Sequence, residues 1–163
     1  LIRRLPSYQA NIRKRLVKSP KVYWRDCGLL HALLNTSNER VLLAQPWVGA
    51  SWEGFVIEQA LGELSSQGRS FSAYYFRTAD QHELDLVLEF ENELWAVEVK
   101  LTSSPTPEDM ARLEKTADMI KASRRFLVSQ TSQSSGDKRR VSCNLRTFLE
   151  HLHKEKGTPA LAT

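Results

Sequence analysis

Hydrophobic and polar residues alternate twice in close succession between positions 83 and 101. In the first stretch Leu84, Leu86, Leu88 and Phe90 alternate with Glu83, Asp85, Val87 and Glu89. In the second, Trp95, Val97, Val99 and Leu101 alternate with Ala96, Glu98 and Lys100. A period of two marks a β-strand with one buried face. Glu91-Asn92 between them is polar, and Asn tolerates positive φ, so a hairpin is expected. In that register Phe90 pairs with Glu93, Asp85 faces Glu98, and Glu83 faces Lys100. Like charges directly opposite each other destabilise a sheet, so the Asp85–Glu98 pair asks for a counter-charge. A divalent cation would supply it, because Mg²⁺ takes one or two carboxylates and keeps water on its other positions. The plainer alternative is a solvated hairpin face with ordinary surface charges.

Other patterns extend the reading on both sides. Arg15-Leu16-Val17 and Val22-Tyr23-Trp24 are strand-like, separated by Ser19-Pro20. Asp26 can cap a short helix carrying Leu29, Leu30, Leu33 and Leu34 and ending near Asn35, with a connection from Thr36 to Pro46. Ser51 suits the cap of a helix from Trp52 to about Ser65, with Phe55, Val56, Ala60, Leu61 and Leu64 on its apolar side. A strand over Ala73–Arg77 precedes the hairpin. Thr106-Pro107-Glu108 opens a second long helix: a capping hydroxyl, a proline in the first turn and an acid near the positive end of the dipole. Met110, Leu113, Ala117 and Ile120 recur along it at helical spacing, and Ala122-Ser123 is its expected end. Arg125–Val128 and Val141–Cys143 read as short strands, Thr131–Asp137 as a loop, and Leu145–His153 as a last helix. The order from Trp52 onward is α-β-β-β-α-β, which implies a mixed α/β sheet covered by helices.

Composition narrows the class. The chain of 163 residues is 41% hydrophobic and 26% charged, near globular averages. No apolar run reaches the ~18–20 residues of a membrane helix, so no membrane role is expected. Cys27 and Cys143 have no ligand-spaced partners and read as reduced thiols of a cytoplasmic protein. The chain starts with Leu, which suggests a piece of a longer protein. Charge is lopsided: the first 25 residues carry eight cations and no acid, +8 against a total of +4, so the remainder carries −4. A basic segment joined to an acidic body suits a phosphate backbone as partner, with Arg13, Lys14, Arg15 and Lys18 as contacts and Arg77 at the edge of the site. A solvated edge that resists aggregation is the alternative. The expected organisation is a basic N-terminal segment over 1–46, a main domain over 47–154 and a frayed tail over 155–163.

The order of elements and the placement of Asp85 and Glu98-Val99-Lys100 resemble the PD-(D/E)xK nuclease superfamily, over Ser51 to about Ser129. The resemblance implies a restriction-endonuclease-like fold. It implies that Asp85, Glu98 and the carbonyl of Val99 hold Mg²⁺ or Mn²⁺, with Lys100 as the basic member. An acid on the preceding helix would complete the site. Glu53 and Glu58 compete for that place, and about 140° around the helix separates them, so only one can point in; Glu53 is favoured. A narrower likeness rests on Leu5-Pro6-Ser7-Tyr8, Lys18-Ser19-Pro20-Lys21-Val22-Tyr23, Asp26-Cys27-Gly28-Leu29-Leu30, Trp52-Glu53-Gly54-Phe55-Val56 and Tyr75-Phe76-Arg77-Thr78. These look like a bacterial and archaeal domain of unknown function carried behind an AAA-type ATPase core. The sequence has no Gly- and Lys-bearing phosphate loop, so the ATPase is expected upstream and the basic segment as the end of a joining module.

The expected function is therefore a metal-dependent nuclease-like effector acting on nucleic-acid phosphodiesters. Two alternatives use the same fold: an inactive platform for DNA or protein, and an oligomerisation arm with Trp24, Trp47 and Trp52 at an interface. His82, just ahead of the acidic strand, is a weaker candidate for contact with metal or phosphate.

Overall fold

The period-two segments form the centre of the molecule. The computed structural model describes residues 1–11 and 15–154. Strands β1 (Ile2–Leu5) and β2 (Lys21–Trp24) form a two-stranded antiparallel ribbon, pairing Ile2 with Trp24 and Leu5 with Lys21. Helices α1 (Cys27–Leu33), α2 (Glu39–Leu43) and α3 (Val48–Ser66) follow. Strands β3 (Ser72–Arg77), β4 (Glu83–Glu89) and β5 (Leu94–Val99) form an antiparallel meander. Helix α4 (Pro107–Met119) crosses over to β6 (Arg124–Ser129), which lies parallel to β5. A two-residue β7 (Ser135–Gly136), β8 (Arg140–Asn144) and α5 (Leu145–Lys154) complete the chain. The result is a six-stranded mixed sheet in the order β3-β4-β5-β6-β8-β7, flanked by helices.

Each face of the sheet has its own core. Val56, Ile57, Ala60 and Leu64 of α3 and Phe148 and Leu152 of α5 join Leu86, Leu88, Trp95, Val97, Phe126 and Val128 on one side. Leu113 and Ala117 of α4 join Phe76, Leu84, Val87, Ala96 and Leu127 on the other. Strand β6 is buried on both faces, as parallel strands between helix layers are.

The hairpin register is the expected one: Glu89 pairs with Leu94 and Leu86 with Val97, and the Phe90 N–H donates to Glu93 O at 2.9 Å. The alternation, however, breaks. Leu84 shares a core with Val87, not with Leu86 and Leu88 as its spacing suggested. The cause lies in the pairing with β3, where Tyr74 pairs with Val87 but Phe76 with Leu84. Asp85 and Leu86 thus oppose the single residue Tyr75. Such a bulge bends the strand and re-aims a side chain, and bulges concentrate beside functional sites.

Helix boundaries follow local chemistry where it was visible. The Asp26 side chain accepts from Leu29 N–H and caps α1, and Thr106 with Asp109 forms a full capping box on α4. Helix α4 stops at Met119, short of the expected end, because Lys121 turns to φ 56°. Helix α3 starts at Val48 rather than after Ser51, and Trp47 at its start gives no side-chain cap. Ser51 lies inside the helix, where its Oγ is 2.8 Å from His31 Nε2. Helix α2, capped by Asn38, occupies the stretch expected to be a bare connection.

The N-terminal segment runs along the outer edge of β3. Tyr8 N–H donates to Tyr75 O (2.7 Å), Tyr75 N–H to Pro6 O (3.0 Å) and Val17 N–H to Arg77 O (2.9 Å). Leu5 and Tyr23 are members of the α3-side core. The segment expected to end an upstream module is in contact with the sheet and shares its core.

Candidate metal and phosphate site

Where β4 and β5 part, the bulge presents Asp85. The cross-strand ladder ends at Leu86–Val97, so the anticipated Asp85–Glu98 backbone pair does not form. Instead Asp85 Oδ2 accepts the Val99 N–H at 2.9 Å, standing in for a ladder bond. Glu98 and Lys100 lie two apart on an extended backbone and therefore share a side; the Lys100 N–H continues the pairing by donating to Val128 O at 2.9 Å. Lys100 Nζ is 2.9 Å from Glu98 Oε1. The other oxygen, Glu98 Oε2, is buried without a hydrogen-bond partner. Glu83 does not face Lys100 as the register suggested: it accepts from Lys21 at 2.5 Å and lies 3.6 Å from Arg77.

Lys21, on β2, is the residue the sequence reading missed. Its Nζ is 2.9 Å from Glu53 Oε1, 2.5 Å from Glu83 Oε1 and 3.3 Å from Asp85 Oδ1. Two residues on, the Tyr23 hydroxyl donates to Glu53. Gly54 permits this arrangement, because a Cβ there would lie 3.2 Å from the Tyr23 ring. With glycine in place, β2 approaches α3 closely enough for Lys21 and Tyr23 to reach Glu53. Glu53 is therefore the α3 acid that faces the cluster. Glu58 faces elsewhere, taking Arg3 through two nitrogens (2.5 and 3.0 Å) and Arg25 at 3.2 Å. Three of the eight N-terminal cations, Arg3, Lys21 and Arg25, neutralise acids of the body, so the opposed charges of segment and body partly meet inside the molecule.

The remaining residues expected to contact phosphate are not gathered at this cluster. Arg15 and Lys18 are exposed, and Arg77 is tied to Glu83. Arg13 and Lys14 lie outside the described residues. His82 is 3.8 Å from Asp80.

Electrostatics follow from the crowding. Four carboxylates (Glu53, Glu83, Asp85 and Glu98) meet two ammonium groups and the Arg77 guanidinium, so negative charge is in excess. Burial, then Glu98 and Glu53, push the Asp85 pKa well above the usual range, against the opposing pull of Lys21 and the Val99 N–H. Burial raises Glu98 too, although Lys100 opposes it. Burial works against the Lys21 charge, yet Asp85, Glu53 and Glu83 hold its pKa far above the ordinary lysine value. Burial and then Glu53 raise the Tyr23 hydroxyl.

These directions set the pH dependence of stability. A carboxyl with a native pKa above its unfolded value contributes stability that is present below the unfolded pKa and lost as pH rises through the native one. Asp85→Asn removes that loss while keeping an acceptor for Val99 N–H. The variant is expected to melt above the parent near neutral pH, and the gap should close as pH falls toward ~4. If the relief is about 1 kcal/mol, the shift is roughly 2–4 °C. Melting curves at several pH values check this.

Among the described residues, no three His, Cys, Asp or Glu side chains are arranged to hold a metal ion. The set Asp85, Glu98 and the Val99 carbonyl has two carboxylates and a neutral oxygen, all hard donors. By donor type it would suit an ion of the Mg²⁺ kind that keeps several waters; Glu98 Oε2 has no hydrogen-bond partner, whereas Asp85 Oδ1 already meets Lys21 and Oδ2 the Val99 N–H. Glu98 and Lys100 open onto a groove of about 460 Å³ between α4 and the turn before β4.

Two family models match separate stretches of the chain. A family model described as "Domain of unknown function (DUF4143)" matches residues 48–148. A second, "Domain of unknown function (DUF8612)", matches residues 1–40. Lys21 and Tyr23 fall in the shorter match, and Glu53, Glu83, Asp85, Glu98 and Lys100 in the longer. An uncharacterized protein of Mycobacterium tuberculosis and one of Mycobacterium bovis are each 43% identical to the chain over 106 residues. The aligned stretch is 65% of this chain and 23% of each relative, so the chain spans about a quarter of the length of the curated relatives it matches. No helix among the described residues is long and apolar enough to cross a membrane.

Proposed function

Since the chain belongs to the DUF4143 family, a domain of unknown function, we propose that its carboxylate cluster serves metal-assisted hydrolysis of nucleic-acid phosphodiesters on a restriction-endonuclease-like core. The observation that carries this reading is the Asp85 carboxylate on the Val99 N–H at the parting of β4 and β5, beside Glu98 with its Lys100 partner. The order α3-β3-β4-β5-α4-β6, with Asp85 on the second strand and Glu98-Val99-Lys100 on the third, supports it through the PD-(D/E)xK resemblance.

Asp85, Glu98 and the Val99 carbonyl would hold Mg²⁺ or Mn²⁺. When bound, such an ion supplies Lewis acidity to a phosphoryl oxygen and lowers the pKa of a coordinated water. Lys100 keeps Glu98 from holding its proton too tightly and places positive charge where the phosphate becomes more negative. Glu53, held by Lys21 and Tyr23, braces the acid side of the cluster from α3. In the full-length protein the domain is the effector of an AAA-type ATPase; the far greater length of the relatives leaves room for such a partner within the chain.

Lys21 favours a second reading. Its ammonium already sits among three carboxylates, as expected of a nuclease fold that has given up its metal and retains only binding. Mn²⁺ titration of the parent, Asp85→Asn and Glu98→Gln, with cleavage assays on plasmid and RNA, separates the two. The hydrolytic reading expects binding and cleavage at millimolar metal that both variants abolish. Parent protein that binds no Mn²⁺ and cuts nothing leaves the second reading.

A further inference from the structure

We propose that the groove between α4 and the Thr78–His82 turn seats the phosphodiester backbone of a single nucleic-acid strand, with Arg112 and Lys115 as its phosphate clamps. The inference deepens the hydrolytic reading, on which it rests for the nature of the reacting group.

The groove has an acidic-basic floor of Glu98 and Lys100, with Arg112, Lys115 and Thr116 along the α4 wall. At about 460 Å³ it falls within the roughly 300–1,000 Å³ typical of ligand sites. That suits a short run of one strand rather than the width of a duplex. Arg112 and Lys115 are three apart on α4 and so are neighbours on its surface. Leu113 and Ala117 anchor the helix in the core beneath them. Arg112 engages Asp109 of its own helix, yet its side chain remains 71% exposed, and a guanidinium has five N–H donors in a fork that matches phosphate oxygens. Cations gathered on one wall repel one another until an anion lies between them.

The opposite wall is held by reciprocal hydrogen bonds, Thr78 N–H to His82 O (2.9 Å) and His82 N–H to Thr78 Oγ1 (3.1 Å). It carries Asp80 and Glu83, whereas the α4 wall carries the exposed cations, so a strand tracks the α4 side and passes Lys100. This route differs from the N-terminal basic segment, three of whose cations are spent on Glu53, Glu58, Glu83 and Asp85.

The test is fluorescence anisotropy with short labelled single-stranded DNA and RNA and with duplex DNA, in EDTA, across a salt series. The proteins are the parent chain, Arg112→Gln/Lys115→Gln, and Arg15→Gln/Lys18→Gln as a control. The α4 variant should lose on the order of ten-fold in affinity for single strands at low salt, and its salt slope should shrink by about 1.4, two single-strand phosphate contacts. Both α4 residues are exposed, so melting curves and Mn²⁺ binding should match the parent. Unchanged affinity and slope in the α4 variant overturn the proposal, as do losses confined to the Arg15/Lys18 variant or no measurable affinity for any probe. Groove-dependent affinity in a protein that binds no Mn²⁺ overturns the hydrolytic reading and leaves the groove standing. The DNA and RNA arms identify the strand.

Discussion

Lys21→Met is expected to cost more stability than any other single change at the cluster. Removing one partner of a buried ionic network leaves uncompensated charge and typically costs about 3–5 kcal/mol; with Lys21 23% exposed, the lower end applies. For a chain of this size that is roughly 10 °C in Tm. Here three carboxylates lose a common counter-ion, and the Asp85 pKa, already raised by burial, loses the opposing pull of Lys21 and rises further. The deficit should therefore be smallest at acid pH, where Asp85 is neutral in both states, and grow as pH rises through its native pKa. Thermal melts from acid to alkaline pH give the reading. If Mg²⁺ or Mn²⁺ restores Tm in the variant more than in the parent, the cluster accepts a divalent cation in place of the ammonium. A variant as stable as the parent at neutral pH would contradict the central role given to Lys21.

On the proposed hydrolytic reading, Lys100→Met is expected to reduce metal-dependent cleavage by about 10²–10³, the usual effect of removing one preorganised group that stabilises developing charge. It acts in two ways that can be told apart. Loss of the ammonium removes charge complementary to the phosphate, which lowers the rate at every pH. It also removes the hydrogen bond and attraction that oppose the rise of the Glu98 pKa. The acid limb of the pH–rate profile should therefore move to higher pH, and Mn²⁺ affinity measured near neutrality should partly recover as pH is raised. A profile that falls in height without moving would separate Lys100 from Glu98 and assign it to the phosphate alone.

Local rules made much of this legible in the sequence. The hairpin register followed from a two-residue polar loop, and the starts of α1 and α4 from Asp26 and from Thr106-Pro107, because each depends on neighbours in the chain. What escaped was decided between distant segments. The β4 bulge is a mismatch with β3, invisible to the alternation of Leu84, Leu86 and Leu88, yet it turns Asp85 into the fork. Ser51 looked like a helix cap because its chemistry suits one; His31, 20 residues earlier, uses that hydroxyl instead. Lys21 reaches Glu53 and Asp85 across 32 and 64 residues, and among eight cations nothing in its immediate sequence singles it out. Asp85, Glu98 and Lys100 could be read because they lie on one hairpin. Their counter-ion could not.

The segment that hydrogen-bonds along β3 has a consequence for how this fold can be divided. It occupies the backbone groups of Tyr75 and Arg77 that would otherwise invite a foreign strand. A polypeptide trimmed to begin at α3 would bare that margin, strip Leu5 and Tyr23 from the interior, and leave Glu53, Glu83 and Asp85 without Lys21. Such a fragment would be sticky and overcharged at once, so the sheet depends on the ribbon for its integrity.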